Sequence, residues 1–375
     1  MTAGATSARK LGPAEPIPLS VVTGFLGAGK TTLLNRLLSD RGLRDTAVLV
    51  NEVGEIGLDH LFYEVLDGET VLLPGGCLCC SVRGDLVRAL EDILRGQDNG
   101  KRAPFRRVVV ETTGLADPAS ILHAMMTHPY LVQRYRLDGV VTLVDAVNGG
   151  ATLDEHREAV KQAAVADRLV LSKTDLAGAG EVAALRARLA ALNPAAPVLD
   201  AVKGEATAAA LLEAGLYDPA SKIADVKRWL AEAAVEAAEH AHHHHAGEAD
   251  HAHHDDRVRV FTLASEEAIP AATLESFLDL LRSIHGAKLL RLKGIVRLAE
   301  EPEQPVVLHA VQHVMHPPAR LPAWPDGDHR SRLVCVTWDL DPAVVRRLFA
   351  AFLGRPQVDM PDRAALLENP LATRR

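Results

Sequence analysis

Gly24-Phe25-Leu26-Gly27-Ala28-Gly29-Lys30-Thr31-Thr32 decides the fold of this chain. The stretch satisfies the G-x-x-x-x-G-K-[ST] phosphate loop, with Gly24, Gly29, Lys30 and Thr31 in the fixed places. A β-branched apolar run, Leu19 to Thr23, precedes it, and Leu33, Leu34, Leu37 and Leu38 follow at helical spacing. The loop is therefore expected between a buried strand and a helix, where backbone N–H groups and the positive end of the helix can cradle a polyphosphate. Gly27 and Ala28 keep it free of bulk, Lys30 is placed to reach the β and γ phosphates, and the Thr31 hydroxyl to ligate a bridging magnesium ion, with Thr32 completing the loop.

At 375 residues the chain calls for two domains. Its net charge of -8 and 4% aromatic content offer neither a basic stripe nor a stacking platform, which argues against nucleic acid as the main partner. No run of 18 apolar residues occurs, so no membrane span is expected, and the Ala/Ser/Gly/Pro-rich start lacks an apolar signal-peptide core. The expected location is the cytoplasm. Three of the four cysteines crowd into Cys77 to Cys80, too tight for a disulfide framework, whereas Cys335 sits in an apolar strand-like run and reads as core.

Beyond the phosphate loop, strand-like runs recur at Thr46–Val50, Thr70–Leu73, Arg107–Val110, Gly139–Val144, Arg168–Leu171 and 197–199. Each delivers a polar segment. Asn51 to Asp59, with Glu52, Glu55 and Asp59 among glycines, reads as a mobile switch loop whose carboxylates could serve magnesium, an attacking water or a second metal. Gly75 to Cys80 places three thiols just before a helix expected from about Gly84-Asp85, a position that favours thiolate. Cys-x-Cys-Cys cannot wrap a tetrahedral ion alone, so Cys77, Cys79 and Cys80 would need further ligands, Glu52 among the candidates. Glu111, at the end of a buried strand, can hold the magnesium shell, and the Gly114 N–H can meet a γ-phosphate. Asp117-Pro118 suits a helix start. Asp145 is read as a capping or bracing group. In Ser172-Lys173-Thr174-Asp175, the Asp175 carboxylate can accept from N1 and the exocyclic amine of guanine while the Lys173 stem packs over the base, which favours guanine over adenine.

Taken as a set, these motifs resemble the CobW family of GTPase metallochaperones, relatives of the GTPases that insert nickel into urease and hydrogenase. The matching pieces are Gly24 to Thr32, Asn51 to Asp59, Gly75 to Cys80, Glu111 to Pro118 and Ser172 to Asp175, in the family's order; Ser172 departs from the asparagine of classical GTPases. The resemblance implies a GTP-hydrolysing protein that couples nucleotide state to capture and delivery of zinc or cobalt to a client protein, with magnesium as cofactor and a role in metal homeostasis or cobalamin biosynthesis. A GTP-dependent homodimer is a further partner it allows. Magnesium and GTP would order the Asn51 and Glu111 segments around the γ-phosphate and draw the cysteine loop in; hydrolysis would release both. No glutamine or arginine finger can be assigned, so intrinsic turnover is expected to be slow.

An amphipathic helical pattern from Ala224 to Glu239 runs into a segment holding eight of the 17 histidines, among acids and without apolar anchors. His242, His243, His244, His245, His251, His253 and His254 are the candidate ligands of this linker, expected to be disordered and to collect divalent metal in exchanging arrangements. From Arg257 a second, smaller unit reads as strands at Val258–Leu263, Leu289–Leu298, 305–313 and 333–338, with helices at 271–284 and 342–353. It resembles the CobW C-terminal domain, with Arg291, Lys293 and Gly294 in its Arg-x-Lys-Gly strand. His309, His313 and His316 read as surface or partner contacts in preference to ligands. The expected architecture is α/β: a phosphate-loop NTPase with a mostly parallel sheet flanked by helices, then a small α+β domain. Its parts are a disordered tail (1–17), a GTPase domain (18–238), the histidine linker (239–256) and the C-terminal domain (257–370). Two rival readings are an ATP-dependent kinase or ATPase with a structural cysteine loop, and a non-enzymatic metal buffer working through the histidines.

Overall fold

The computed structural model describes residues 16–39, 43, 45–50, 70–72, 81–212, 257–316 and 318–355. Seven parallel strands form the first sheet: β1 (Ile17–Gly24), β2 (Thr46–Val50), β3 (Thr70–Leu72), β4 (Arg107–Glu111), β5 (Tyr135–Asp145), β6 (Arg168–Ser172) and β7 (Val198–Asp200), in the order β3-β2-β4-β1-β5-β6-β7. Helices α1 (Lys30–Leu38), α2 (Ser81–Asp98), α3 (Pro118–Thr127), α4 (Leu131–Arg134), α5 (Gly149–Glu155), α6 (Arg157–Val165), α7 (Ala179–Leu192) and α8 (Ala208–Leu212) connect them. Near-continuous apolar runs such as Val108 to Val110 and Leu169 to Leu171 suit strands covered on both faces, and these residues are fully buried. The expected strands recur with ends moved by a few residues. Helix α2 begins at Ser81, earlier than Gly84, directly after Cys80.

The chain runs from β1 outward to β2 and β3, returns through β4, then crosses β1 to continue on the other side. The carboxyl ends of β1, β4 and β5 therefore meet where the strand order reverses, the place where open α/β sheets bind ligands. Because β2 and β3 run parallel to β4, the chain leaves Val50 and Leu72 at this same edge.

The second unit is antiparallel: β8 (Val258–Ser265), β9 (Leu289–Val296), β10 (Val306–Val311), β11 (Val314–Met315), β12 (Ala319–Arg320) and β13 (Ser331–Trp338), in the order β11-β10-β9-β13-β8 with β12 beside β10. Helices α9 (Ala271–His285) and α10 (Pro342–Phe352) cover one face, where Phe277 meets Phe349 edge-to-face at 5.1 Å. Leu263, Leu292, Leu308, Leu333 and Cys335 point into that layer. The Cys335 thiol is core, as expected, and burial pushes it up to about 12.

The opposite face of this sheet packs on the first domain. Val258, Leu290, Val311, Val314, Val336 and Trp338 share one apolar cluster with Leu19, Val110, Leu137 and Leu171. Alternation along β9 sends Leu292 to the helices and its neighbours Arg291 and Lys293 to the domain contact, where Asp167 meets them. Arg291 pairs with Asp167 Oδ1, Lys293 Nζ lies 3.1 Å from the same oxygen, and Oδ2 accepts from the Val140 N–H at 2.9 Å. Burial would raise the Asp167 carboxyl, but the two cations, with His309 beyond them, hold it well below the usual range.

His309 and His316 correct the sequence reading. They stack at 4.6 Å and are buried on the face that packs against the first domain, near its Asp167; His313, in the turn, is exposed. Burial lowers His316 to about 4, Asp167 opposing only in part while Arg291 and Lys293 line the same contact. Its folded pKa lies below the 6.5 of a free imidazole, so the unfolded chain takes up the proton first. The stability this contributes is complete above about 6.5 and is lost as the pH falls toward 4. Between pH 7.5 and 5 a His316→Leu variant should lose about 2 kcal/mol less unfolding free energy than the parent in urea titrations. An equal loss in both would place the acid sensitivity elsewhere.

Candidate nucleotide site

Gly24, Gly27 and Gly29 all hold positive φ, which lets the loop after β1 turn its amides inward. Gly29, at φ 89, is the N-cap of α1, so the first free N–H groups of that helix open onto the loop. Lys30 is buried, and its Nζ donates to the Gly24 and Phe25 carbonyls at 2.8 and 3.2 Å, which poises the ammonium at the mouth. Ala28 is buried beneath the loop and Thr32 points outward.

Two hard oxygen donors converge beside it. Thr31 Oγ1 donates to Glu111 Oε1 at 3.2 Å, with Glu111 buried at the end of β4. A hydroxyl and a carboxylate at one point fit a magnesium ion, which takes oxygen ligands. Thr112 braces the strand ends through Thr23 Oγ1 at 2.7 Å and the Val22 carbonyl at 2.9 Å. Gly114 lies against the phosphate loop itself: a Cβ there would stand 2.6 Å from the Leu26 nitrogen, so only glycine admits this approach. The segment then starts α3 as expected, the Asp117 carboxylate accepting from the Ala119 N–H at 3.0 Å.

Residues Ser172 to Asp175 border the other side. Ser172 Oγ donates to the Ala28 carbonyl at 2.7 Å, tying the end of β6 to the phosphate loop, so the serine that departs from classical GTPases makes a direct bridge. Lys173 has φ 57, a left-handed conformation, and its Nζ is fixed 2.7 Å from Asp145 Oδ2. Asp145 also accepts from the Val147 N–H and from Asn148; burial raises its carboxyl, but these partners outweigh that and leave it lowered. Asp145 thus braces, as its sequence context suggests. Thr174 Oγ1 donates to the buried Asp200 at 2.8 Å, and Asp175 is left exposed at the rim.

The structure therefore brings Lys30, Thr31, Glu111 and Gly114 together on one side of the loop and carries Lys173 and Asp175 on the other. The expected metal ligands Glu52, Cys77, Cys79, Cys80 and His242 to His254 lie outside the described residues, as do the Asn51 to Asp59 loop and most of the tail. Among the described residues no group of three His, Cys, Asp or Glu side chains is placed to hold a metal. No described helix is long and apolar enough to cross a membrane.

Sequence reading missed Gln162. It is buried on α6, and its Nε2 donates to the Gly114 and Ala116 carbonyls at 3.1 and 3.0 Å. The signal was a lone amide inside an Ala/Val face.

The chain is similar to known proteins over both of its units. The CobW/HypB/UreG nucleotide-binding domain model matches residues 18–200, and the cobalamin synthesis protein cobW C-terminal domain model matches 258–353. The zinc chaperone CobW of a Sinorhizobium species is 31% identical over 372 residues, covering 90% of this chain and 97% of that protein. The zinc chaperone YjiA of Escherichia coli is 42% identical over 191 residues, 51% of this chain and 59% of its own. The zinc-regulated GTPase metalloprotein activator 1 of Schizosaccharomyces pombe is 36% identical over 197 residues, 47% of its length. This chain thus spans about half to three fifths of those last two relatives. Among solved structures, zinc-bound YjiA GTPase superposes with a TM-score of 0.64 at 26% identity, covering 90% of this chain and 99% of that one.

Proposed function

The chain belongs to the CobW family, and we propose that it binds and hydrolyses GTP and couples the nucleotide state to binding and delivery of zinc to a client protein. The observation that supports this reading is the convergence of Thr31, Glu111 and Gly114 on the phosphate loop, which brings the end of β4 and the segment after it onto that loop at one sheet edge. The names of the relatives, zinc chaperones and a zinc-regulated GTPase, favour zinc as cargo and disfavour both rival readings.

In this reading the loop amides and Lys30 hold the β and γ phosphates, and Lys173 and Asp175 select guanine. Thr31 and Glu111 hold magnesium, which when bound would supply charge neutralisation between the phosphates. The Gly114 amide meets the γ-phosphate, so loss of that group changes the segment from Glu111 to Asp117. Glu52 and the thiolates of Cys77, Cys79 and Cys80 take zinc, cobalt being chemically admissible at such donors, and the histidine segment collects the ion. The bounds of the tail, GTPase domain, linker and C-terminal domain stay as read from sequence, and GTP-dependent pairing of two copies is part of the proposal.

The test is a zinc titration of the full chain with a non-hydrolysable GTP analogue and magnesium, with GDP, and without nucleotide. Zinc affinity should rise at least roughly tenfold with the analogue, a ratio typical of coupled sites. The Cys79→Ala/Cys80→Ala double variant should lose tight binding while still binding GTP. Affinity indifferent to nucleotide overturns the coupling, because a ligand with no preference between two states shifts neither.

A further inference from the structure

Helix α6 touches the nucleotide side and the C-terminal domain with the same few residues. On one side, the Gln162 amide spends both Nε2 hydrogens on carbonyls two residues apart, Gly114 and Ala116. Its neighbour Lys161 places Nζ 3.1 Å from Asp117 Oδ2, and Gln312, in the turn between β10 and β11, donates to that same oxygen at 3.3 Å. At the far end of the helix, Arg291 from β9 donates to the Val165 carbonyl at 2.6 Å and to that of Ala166 while pairing with Asp167. Asn193 takes the Ala163, Ala164 and Ala166 carbonyls at 2.8 to 3.2 Å. The last carbonyls of a helix have no partner of their own, so this cluster fixes where α6 ends and what it is anchored to.

We propose that Gln162 is a positioning residue that holds the Thr113 to Asp117 segment against the phosphate loop, and that the C-terminal domain sets its position through α6 and Gln312. The inference rests on the reading of this site as a GTP site. An apolar side chain would fill the space on this Ala/Val face equally well; an amide adds two bonds that exist only when both carbonyls are in register. Displacing the segment breaks both together and leaves a buried donor unpaired, so the closed position is a distinct state with an energetic edge. Gly114 is held through its carbonyl by Gln162 while its Cα lies against Leu26 of the phosphate loop, so the same residue meets both the amide and the site where only the γ-phosphate distinguishes GTP from GDP. A domain that holds α6 thereby tunes preference for the triphosphate, and a nucleotide that shifts the segment pulls on the C-terminal domain by the same amount.

The test measures dissociation constants for fluorescent GDP and a fluorescent non-hydrolysable GTP analogue. Parent, Gln162→Leu and Gln312→Asn full-length proteins are compared, the last leaving the first domain untouched. Gln162→Leu should lower the ratio of GTP-analogue to GDP affinity roughly tenfold, the loss of two modest hydrogen bonds, and Gln312→Asn severalfold, with GDP affinity unchanged in both. Equal loss for both nucleotides in Gln162→Leu, or an unchanged ratio, overturns the positioning role. An effect of Gln162→Leu without one of Gln312→Asn overturns the link to the second domain. A parent that binds neither nucleotide defeats the GTP reading itself, and is recognised before any variant is compared.

Discussion

Replacing Lys30 by alanine is expected to lower GTP hydrolysis at least a hundredfold while leaving the fold intact. The ammonium is buried at the loop mouth on two carbonyls, while Arg36, the other cation of α1, donates to the Ala201 and Ala206 carbonyls. Removing one preorganised donor at a site of developing charge costs about 10² to 10³ in rate. Among the described residues the structural cost is two side-chain bonds to backbone, so the urea midpoint should move little. Phosphate release and nucleotide affinity measured on the same preparations check this. A fall below about threefold would mean that phosphates are handled away from this loop.

Arg291→Met is the second large effect, and it falls on stability. The variant removes the guanidinium from a site where Arg291 and Asp167 are both fully buried, taking the Arg291 donor from the Val165 carbonyl, leaving the Ala166 carbonyl to Asn193, and leaving Asp167 with the Lys293 ammonium and the Val140 N–H. Lys293 is a poor substitute. Its charged form is disfavoured by its own burial, and its single ammonium cannot span Asp167 and the Val165 carbonyl as the Arg291 fork does. Breaking one partner out of a buried pair costs about 3 to 5 kcal/mol, whereas replacing the whole pair with apolar groups costs far less. The Asp167→Leu/Arg291→Met double variant should therefore be more stable than the sum of the single losses, a non-additivity read from urea unfolding. Additive losses would show that the two side chains act separately.

The parallel sheet was legible because its strands are short apolar runs that each end in a motif, and buried strands of this kind advertise themselves by composition. Glu111 and Gly114 were legible for the same reason: a strand that must end beside a phosphate loop leaves few places for its next residues. Ser172 was harder. Its hydroxyl replaces a longer amide by reaching the Ala28 carbonyl, a substitution of geometry that no residue pattern expresses. His309 and His316 were misplaced because strand alternation says which residues share a face but not what covers that face; here a second domain does. Gln162, Asp167 and Arg291 were illegible as a set, since their meeting spans 124 residues between Asp167 and Arg291 and depends on two sheets docking. Arg291 and Lys293 were noticed only as a family pattern, with no partner in view.

The apolar layer between the sheets also separates what is inherited from what folds. Two family models divide the sequence near residues 200 and 258, yet Val258, Leu290, Val311, Val336 and Trp338 belong to the same cluster as the centre of the first sheet. A fragment cut at the end of α8 would bare that layer and its buried Asp167 to water, and a fragment begun at β8 would bare the matching half with two unmatched cations. Two segments matched by separate family models thus share one buried layer, which neither half covers by itself.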